Sequence, residues 1–424
     1  MKRHFCLGLV LCGVVAAGLP AQAASKSKAV KPTGSVPVLD GLDLKHQVAT
    51  GINYNDGPVM ENSHNTYFIW YGNWAGNTAT TFLPQLMTGL NGSSYFNTNG
   101  SYFDNSRHVS SGIFMSNQIF DAYSQGATLS ETSIRAIVSR GLANGLPTDP
   151  NGVYFVLTSA DVNETSHGGF CTAQCGYHGH TGLNGFDIKY AFVGNGDRCP
   201  GACSAQAVGP NGNAGADAMA SVMAHELSET VTDPDLNAWY DASGNENADK
   251  CAWNFGPTFV TPNGALANVT LGGRNFLLQQ IWLNSGAGSC GLSFQTLPLC
   301  YQAHVQSIGW QPQTCTGDVA GTVHQSLRME AITITASGRS ICYQAYLENI
   351  GWQAAVCDGA VAGTVGQNRR MEALRVWIQS GGGHVEYFGQ LEGIGWTGPA
   401  RDGAVIGTTG QSRRLEAVVI RILP

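Results

Sequence analysis

The chain reads as an α+β domain followed by a smaller all-β domain of pseudo-threefold symmetry, and three observations carry that reading. Segments with strand and helix patterns are mixed across residues 40–293 without a strict βαβ rhythm, which argues for α+β. A long segment with an apolar stripe, 218–234, falls late in that region. Beyond residue 296 the sequence repeats itself: Tyr301, Trp310 and Glu330 return as Tyr343, Trp352 and Glu372 after 42 residues, and as Tyr387, Trp396 and Glu416 after a further 44. Self-similarity at such a period means symmetric or stacked units sharing a core. Short β-rich segments and Gly-rich turns make three units a closed domain of the β-prism or trefoil kind.

The elements follow in chain order. Residues 1–23 have the three parts of an export signal: Lys2 and Arg3, an apolar run over 7–19, and the small-x-small site Ala21-Gln22-Ala23. The mature chain is expected to begin near Ala24, outside the cytoplasm. Residues 24–39 are a Lys/Ser/Pro/Gly tether with too little apolar content to fold. Strands are predicted over 66–71, 153–158 and 188–193, where β-branched and aromatic residues concentrate. Helices are predicted within 80–90, where Pro84 suits only the first turn, and over 130–142, which Ser130 caps. An apolar segment over 274–283 closes the domain.

Composition narrows the function classes. A 43% hydrophobic fraction with 55 glycines describes a loop-rich globular protein. A formal charge of −7 without any basic run offers no footprint for nucleic acid. No stretch approaches the roughly 20 apolar residues that span a membrane. A monomer is expected.

The segment 218–234, AMASVMAHELSETVTDP, carries the chemistry. Met219, Val222, Met223, Leu227 and Val231 make one helical stripe, and Asp233-Pro234 stops it. His225 and Glu229 lie one turn apart on one face, the spacing at which two side chains reach one zinc ion. Glu226 is then placed as the general base for a water that the metal activates. The bland alternative is that the three residues form the solvated face of an amphipathic helix. Zinc needs a third protein ligand, and Asp249, near Cys251, is the first choice, with Glu246 and Asp233 as alternates. Calcium is a rival, since Asp241, Ser243, Asn245, Asn247 and Asp249 offer oxygens at alternate positions, although Glu246 stands where an EF-hand loop needs glycine. His178 and His180, in GYHGHTG, read as decoration of a glycine-rich loop rather than as further ligands.

Ten cysteines follow the export signal, and an even number in an exported chain favours disulfides. Cys171, Cys175, Cys199 and Cys203 also resemble a four-thiolate zinc site; disulfides are preferred, with the pairing open. Cys300 and Cys315 flank Trp310 as Cys342 and Cys357 flank Trp352, while Glu386 and Arg401 stand at the matching positions of repeat three. Cysteines lost together are two halves of one crosslink, which predicts Cys300–Cys315 and Cys342–Cys357, and by elimination Cys251–Cys290. A Cys315–Cys342 bond between repeats is the alternative. Trp310, Trp352 and Trp396 are expected in the core of the repeat domain rather than on a ligand platform.

Several ordered motifs carry resemblances. YNDGPVM (54–60), YFIWYGNW (67–74), YFVLTSADV (154–162), GFCTAQCGYHG (169–179), YAFVGN (190–195) and CPGAC (199–203) resemble the EXORDIUM or phosphate-induced protein family over about residues 45–290. That resemblance implies an extracytoplasmic protein with growth or surface roles and no established reaction. HELSETVTDP departs from it, because the plant members have no His-Glu-x-x-Glu there. With WYD (239–241), NENADKC (245–251) and QQIWLN (279–284), that stretch resembles secreted zincin-type metallopeptidases, implying a mixed sheet, an active-site helix and a peptide or protein substrate. Residues 300–424, with SIGW, NIGW and GIGW and with RMEA, RMEA and RLEA, resemble ChW repeats, which implies binding at a cell surface, polysaccharide included, without catalysis.

Overall fold

A computed structural model describes residues 25–27 and 51–424; the export signal at 1–23 and most of the tether at 24–39 lie outside the described residues. The first sheet has six strands: β1 (Ser25–Ser27), β2 (His64–Tyr71), β3 (Ile113–Asp121), β4 (Gly152–Thr158), β5 (Gly176–Leu183) and β6 (Phe186–Val193). Their order is β1-β5-β6-β4-β2-β3. Strands β3, β2, β4 and β6 run parallel, and β5 runs antiparallel to both β6 and β1. Parallel neighbours need crossovers, supplied by α1 (Ala79–Leu90) between β2 and β3 and by α2 (Glu131–Ala143) between β3 and β4. Strands β2 and β4 are covered on both faces, and Phe68, Ile69, Trp70, Phe155 and Val156 are wholly buried there.

Three local expectations are corrected. Pro84 lies inside α1 beyond its first turn, where Phe82, Leu83, Leu86 and Met87 bury around it and their burial outweighs the lost backbone bond. GYHGHTG is strand β5 and not a loop: it pairs along its length with β6, and its first glycine, Gly176, permits a close approach to a helix. Ser25–Ser27, drawn from the expected tether, pairs with Tyr177–Gly179 at the sheet edge; an edge strand needs only backbone hydrogen bonds.

After the one-turn helix α3 (Pro200–Cys203), α4 runs over Ala214–Thr232. It starts four residues before the predicted segment 218–234 does, since the Asn213 side chain accepts from Ala216 N. Nearly every residue of α4 is buried, so its polar side chains turn back on the helix: Ser228, Thr230 and Thr232 donate to the carbonyls of Ala224, Glu226 and Ser228. The late segment divides into two short strands, Arg274–Phe276 and Ile281–Leu283.

The C-terminal region is almost entirely strand. Its long strands are β7 (Leu299–Val305) and β8 (Met329–Ala336) of repeat one, β9 (Ser340–Leu347) and β10 (Met371–Ser380) of repeat two, and β11 (His384–Leu391) and β12 (Leu415–Leu423) of repeat three. Each repeat builds one sheet, and each sheet takes an edge strand from another repeat. Ala362–Gly363 joins β8, Ile406–Gly407 joins β10, and Val319–Gly321 joins β12. The exchange runs one to three, two to one and three to two, so it closes in a ring.

Tyrosine hydroxyls repeat the same cycle. Tyr301 Oη accepts from Ile420 N at 3.0 Å, Tyr343 Oη from Ile334 N at 3.0 Å and Tyr387 Oη from Val376 N at 3.2 Å. These tyrosines, not the tryptophans, fill the ring's core with Leu299, Ile332, Leu374 and Val418. Trp310 is 36% exposed and Trp352 is half-buried beneath Arg375, 4.4 Å away. In repeats one and two the tryptophan sits in a two-residue strand, Gly309–Trp310 or Gly351–Trp352, at the edge of its sheet.

The two regions meet through repeat three and the adjoining part of repeat one, where His108 Nδ1 lies 2.8 Å from Asp318 Oδ1 and Val319 N donates to Ser106 O at 3.1 Å. Phe388 and Val419 belong to the first region's apolar core, and the Phe103 ring lies 5.0 Å from that of Phe388 and 5.3 Å from that of Trp396. Cys300 and Cys315 are register partners, as are Cys342 and Cys357; in repeat three the partners are Glu386 and Arg401. Glu386 Oε1 binds Arg401 at 2.7 Å and accepts from Gly286 N at 2.8 Å. Its Oε2 binds Arg421, which is 1% exposed and donates to Ser101 O and Asn284 O. Repeat three has exchanged a crosslink for an ionic dock.

Candidate metal centre

Helix α4, strand β5, the 3-10 turn Asp249–Cys251 and Glu246 just before it bring six side chains together. His225 is 4% exposed and Glu226 and Glu229 are 0% exposed, which rules out the solvated helix face. His225 Nε2 lies 3.3 Å from Glu229 Oε1 and 3.7 Å from Asp249 Oδ1. Asp249 N donates to Glu229 Oε1 at 3.0 Å, which ties the turn to the helix. On the sheet side, His178 Nδ1 is 3.5 Å from both Glu226 Oε2 and Glu229 Oε2, and its Nε2 is 3.5 Å from Glu246 Oε1.

The packing that allows this is specific. A methyl group at Gly176 would lie 2.6 Å from Val222 Cγ1 and 2.8 Å from Phe192 O, so β5 approaches α4 only because that residue has no side chain. Gly176 and His178 are two apart and share a strand face, which aims His178 at the helix.

The donors fit a zinc ion. Ligands about 2.1 Å from a tetrahedral zinc are about 3.4 Å apart, close to the 3.3 and 3.7 Å from His225 Nε2 to Glu229 and Asp249. One donor atom from each lies within 4.8 Å of the others. Burial by itself holds the His225 pKa down, but the carboxylates, Glu229 first and then Asp249 and Glu226, push it up to about 10. His178 behaves alike: burial opposes its charge, and Glu246, Glu226 and Glu229 raise it well above the usual histidine range. The cluster thus favours positive charge.

The alternates take other places. Asp233 caps α4 and accepts from Ala238 N at 2.6 Å. Glu246 contacts His178 rather than His225, and one donor atom each from His178, Glu229 and Glu246 also lies within 4.8 Å of the others. Of the calcium reading, the Asp241 carboxylate already holds Ser243 N, Asn245 N and Lys250 Nζ, whereas Asn247 donates its amide N–H to Asn99 Oδ1. His180 joins Asp187 and Asp235, with the Lys189 ammonium 2.9 and 3.4 Å from their carboxylates. His178 is the residue sequence reasoning passed over, and its signal was two histidines spaced as on one strand face.

A crevice of about 20 Å³, lined by Gly176, Val222, His225, Glu226, Asp249 and Gln279, opens beside the cluster. A larger cavity of about 280 Å³ lies away from it at the junction of the two regions, beside His108 and Arg421. Disulfides brace the surroundings: Cys171–Cys199 and Cys175–Cys203 hold β5 to the approach of α4, and Cys251–Cys290 anchors the Asp249 turn. Cys300–Cys315 and Cys342–Cys357 lie within single repeats. Five disulfides fit an extracellular protein, and among the described residues no helix is long and apolar enough to cross a membrane.

The architecture is that of a disulfide-braced mixed α and β domain, with a buried histidine–carboxylate cluster, joined to three β repeats. Residues 52–291 match the family described as the phosphate-induced protein 1 conserved region, and the chain belongs to that family. Residues 304–338, 346–380 and 390–424 match the clostridial hydrophobic W repeat. Among similar proteins, EXORDIUM-like 5 of Arabidopsis thaliana is 30% identical over 54% of this chain and 75% of its own length. EXORDIUM of Arabidopsis thaliana is 27% identical over 54% and 86%, and PHOSPHATE-INDUCED 1 of Nicotiana tabacum is 26% identical over 47% and 71%. No solved structure matches the chain.

Proposed function

We propose that this is an exported, surface-docking protein whose first domain holds a zinc ion on His225, Glu229 and Asp249 and uses it hydrolytically on a peptide or protein. The observation that carries the reading is the convergence of those three side chains at zinc-ligand separations in a buried, anion-rich cluster. A bound zinc ion supplies Lewis acidity toward a carbonyl oxygen and toward water. Glu226, adjoining His225 and lining the crevice, accepts the proton of the attacking water on its carboxylate. The mixed sheet and buried helix support a zincin-like reading of residues 40–293. Three sheets exchanging edge strands support a prism-like rather than a trefoil reading of residues 296–424, the part that docks on cell-surface polysaccharide.

The test is the metal content of the purified mature chain, followed by casein proteolysis with and without chelator. Wild type is expected to carry one zinc, His225→Ala none, and Glu226→Gln one zinc without hydrolysis. Full activity in Glu226→Gln would sink the mechanism. A second reading has its own support. The crevice holds about one water molecule, which suits a structural metal in a non-catalytic adhesion protein. Zinc without casein cleavage in wild type selects that reading.

A further inference from the structure

His178 ties the base and a ligand of this site to the sheet. Glu229 divides its two oxygens: Oε1 faces His225 and Asp249, while Oε2 faces His178 Nδ1. The same Nδ1 faces Glu226 Oε2, and the opposite nitrogen faces Glu246. One fully buried imidazole thus stands between the residue proposed to move a proton and a residue proposed to hold the metal. Its Nε2 lies 3.5 Å from a third carboxylate, and its backbone belongs to β5. Carboxylate–histidine contacts around a metal set ligand orientation, and losing them costs about 10–100-fold in affinity or activity.

We propose that His178 is a positioning residue, holding Glu229 in its ligating orientation and Glu226 at the crevice through Nδ1, with Glu246 fixing the ring through Nε2. The inference rests on the metal reading above. It uses a residue outside the helix motif that does not itself line the crevice.

The side-chain amide of asparagine places a donor near the position of Nδ1, and that of glutamine places one near Nε2. Zinc binding to the mature chain, measured by calorimetry, is expected to weaken about 10–100-fold in His178→Ala, with a changed visible spectrum when cobalt(II) replaces zinc. His178→Asn is expected to recover most of the affinity and the spectrum, and His178→Gln little of either. A residue that only fills space gives the opposite order, because glutamine is the larger. Wild-type affinity and spectrum in His178→Ala, or better rescue by glutamine than by asparagine, would overturn the proposal. A wild-type chain that binds no zinc overturns the metal reading itself, an outcome distinct from both. If the alanine variant does not fold, the order of the two amide variants still decides.

Discussion

Replacing Glu386 by alanine probes the ionic dock of repeat three. Its carboxylate compensates Arg421, which is buried and bonded at Nε and Nη2 at 2.8 and 2.5 Å, and binds Arg401 at 2.7 Å. Alanine leaves the Arg421 guanidinium buried among the carbonyls of Ser101 and Asn284 without a counter-charge, a loss of about 3–5 kcal/mol. At roughly 2–4 °C per kcal/mol for a unit of this size, the melting transition that includes repeat three is expected to fall by about 6–20 °C. Adding Arg421→Met removes the stranded charge, so the double variant is expected to be less destabilised than the sum of the singles by about 0.5–3 kcal/mol. Burial tends to raise the Glu386 pKa, but Arg421 outweighs it and the folded-state value is depressed. The stabilisation is therefore present above the unfolded glutamate pKa of about 4.3 and is lost as pH falls from there through the lower folded value. The gap between wild type and variant should close over that acid range. A Glu386→Ala chain melting within a degree or two of wild type at neutral pH, or a double variant no better than additive, would refute the reasoning.

Two further outcomes bear on the ring. Tyr343→Phe strands Ile334 N–H and the Ala360 carbonyl, at a cost of about 1–3 kcal/mol read from a urea midpoint; Tyr301→Phe, at the equivalent staple, should cost a similar amount. Removing residues 384–424 takes away the partner of Val319–Gly321 and opens the ring, so the remaining two repeats should lose their cooperative melt; a sharp transition in that chain would favour an open stack over a closed ring.

Much of this was legible in the sequence because it rests on local periodicity. The three repeats, the helix over 218–234 and the two intra-repeat cysteine pairs are all spacing arguments. Spacing survives whatever the tertiary packing does. That Asp233 leans away from His225 was legible too, from its rotation on the helix.

Other features required the assembled fold. GYHGHTG carries the composition of a loop, and only its pairing with β6 and the contact of Gly176 with α4 turn it into the strand that delivers His178. The tryptophans of the GW motifs were expected inside; the tyrosines took the core because each hydroxyl also finds a buried partner on another repeat. Glu386 and Arg401 were visible in the sequence only as the place where two cysteines had vanished. Their role depends on Gly286, Ser101 and Asn284, more than a hundred residues away or nearly so along the chain, and no periodic signal encodes that distance. The sequence by itself determined the repeat, the helix and the shared face of His225 and Glu229, because backbone geometry fixes which near neighbours share a face. The tertiary structure alone decided which strand faces that helix and which repeat bears on the first domain, because those contacts depend on shape and charge meeting across the fold.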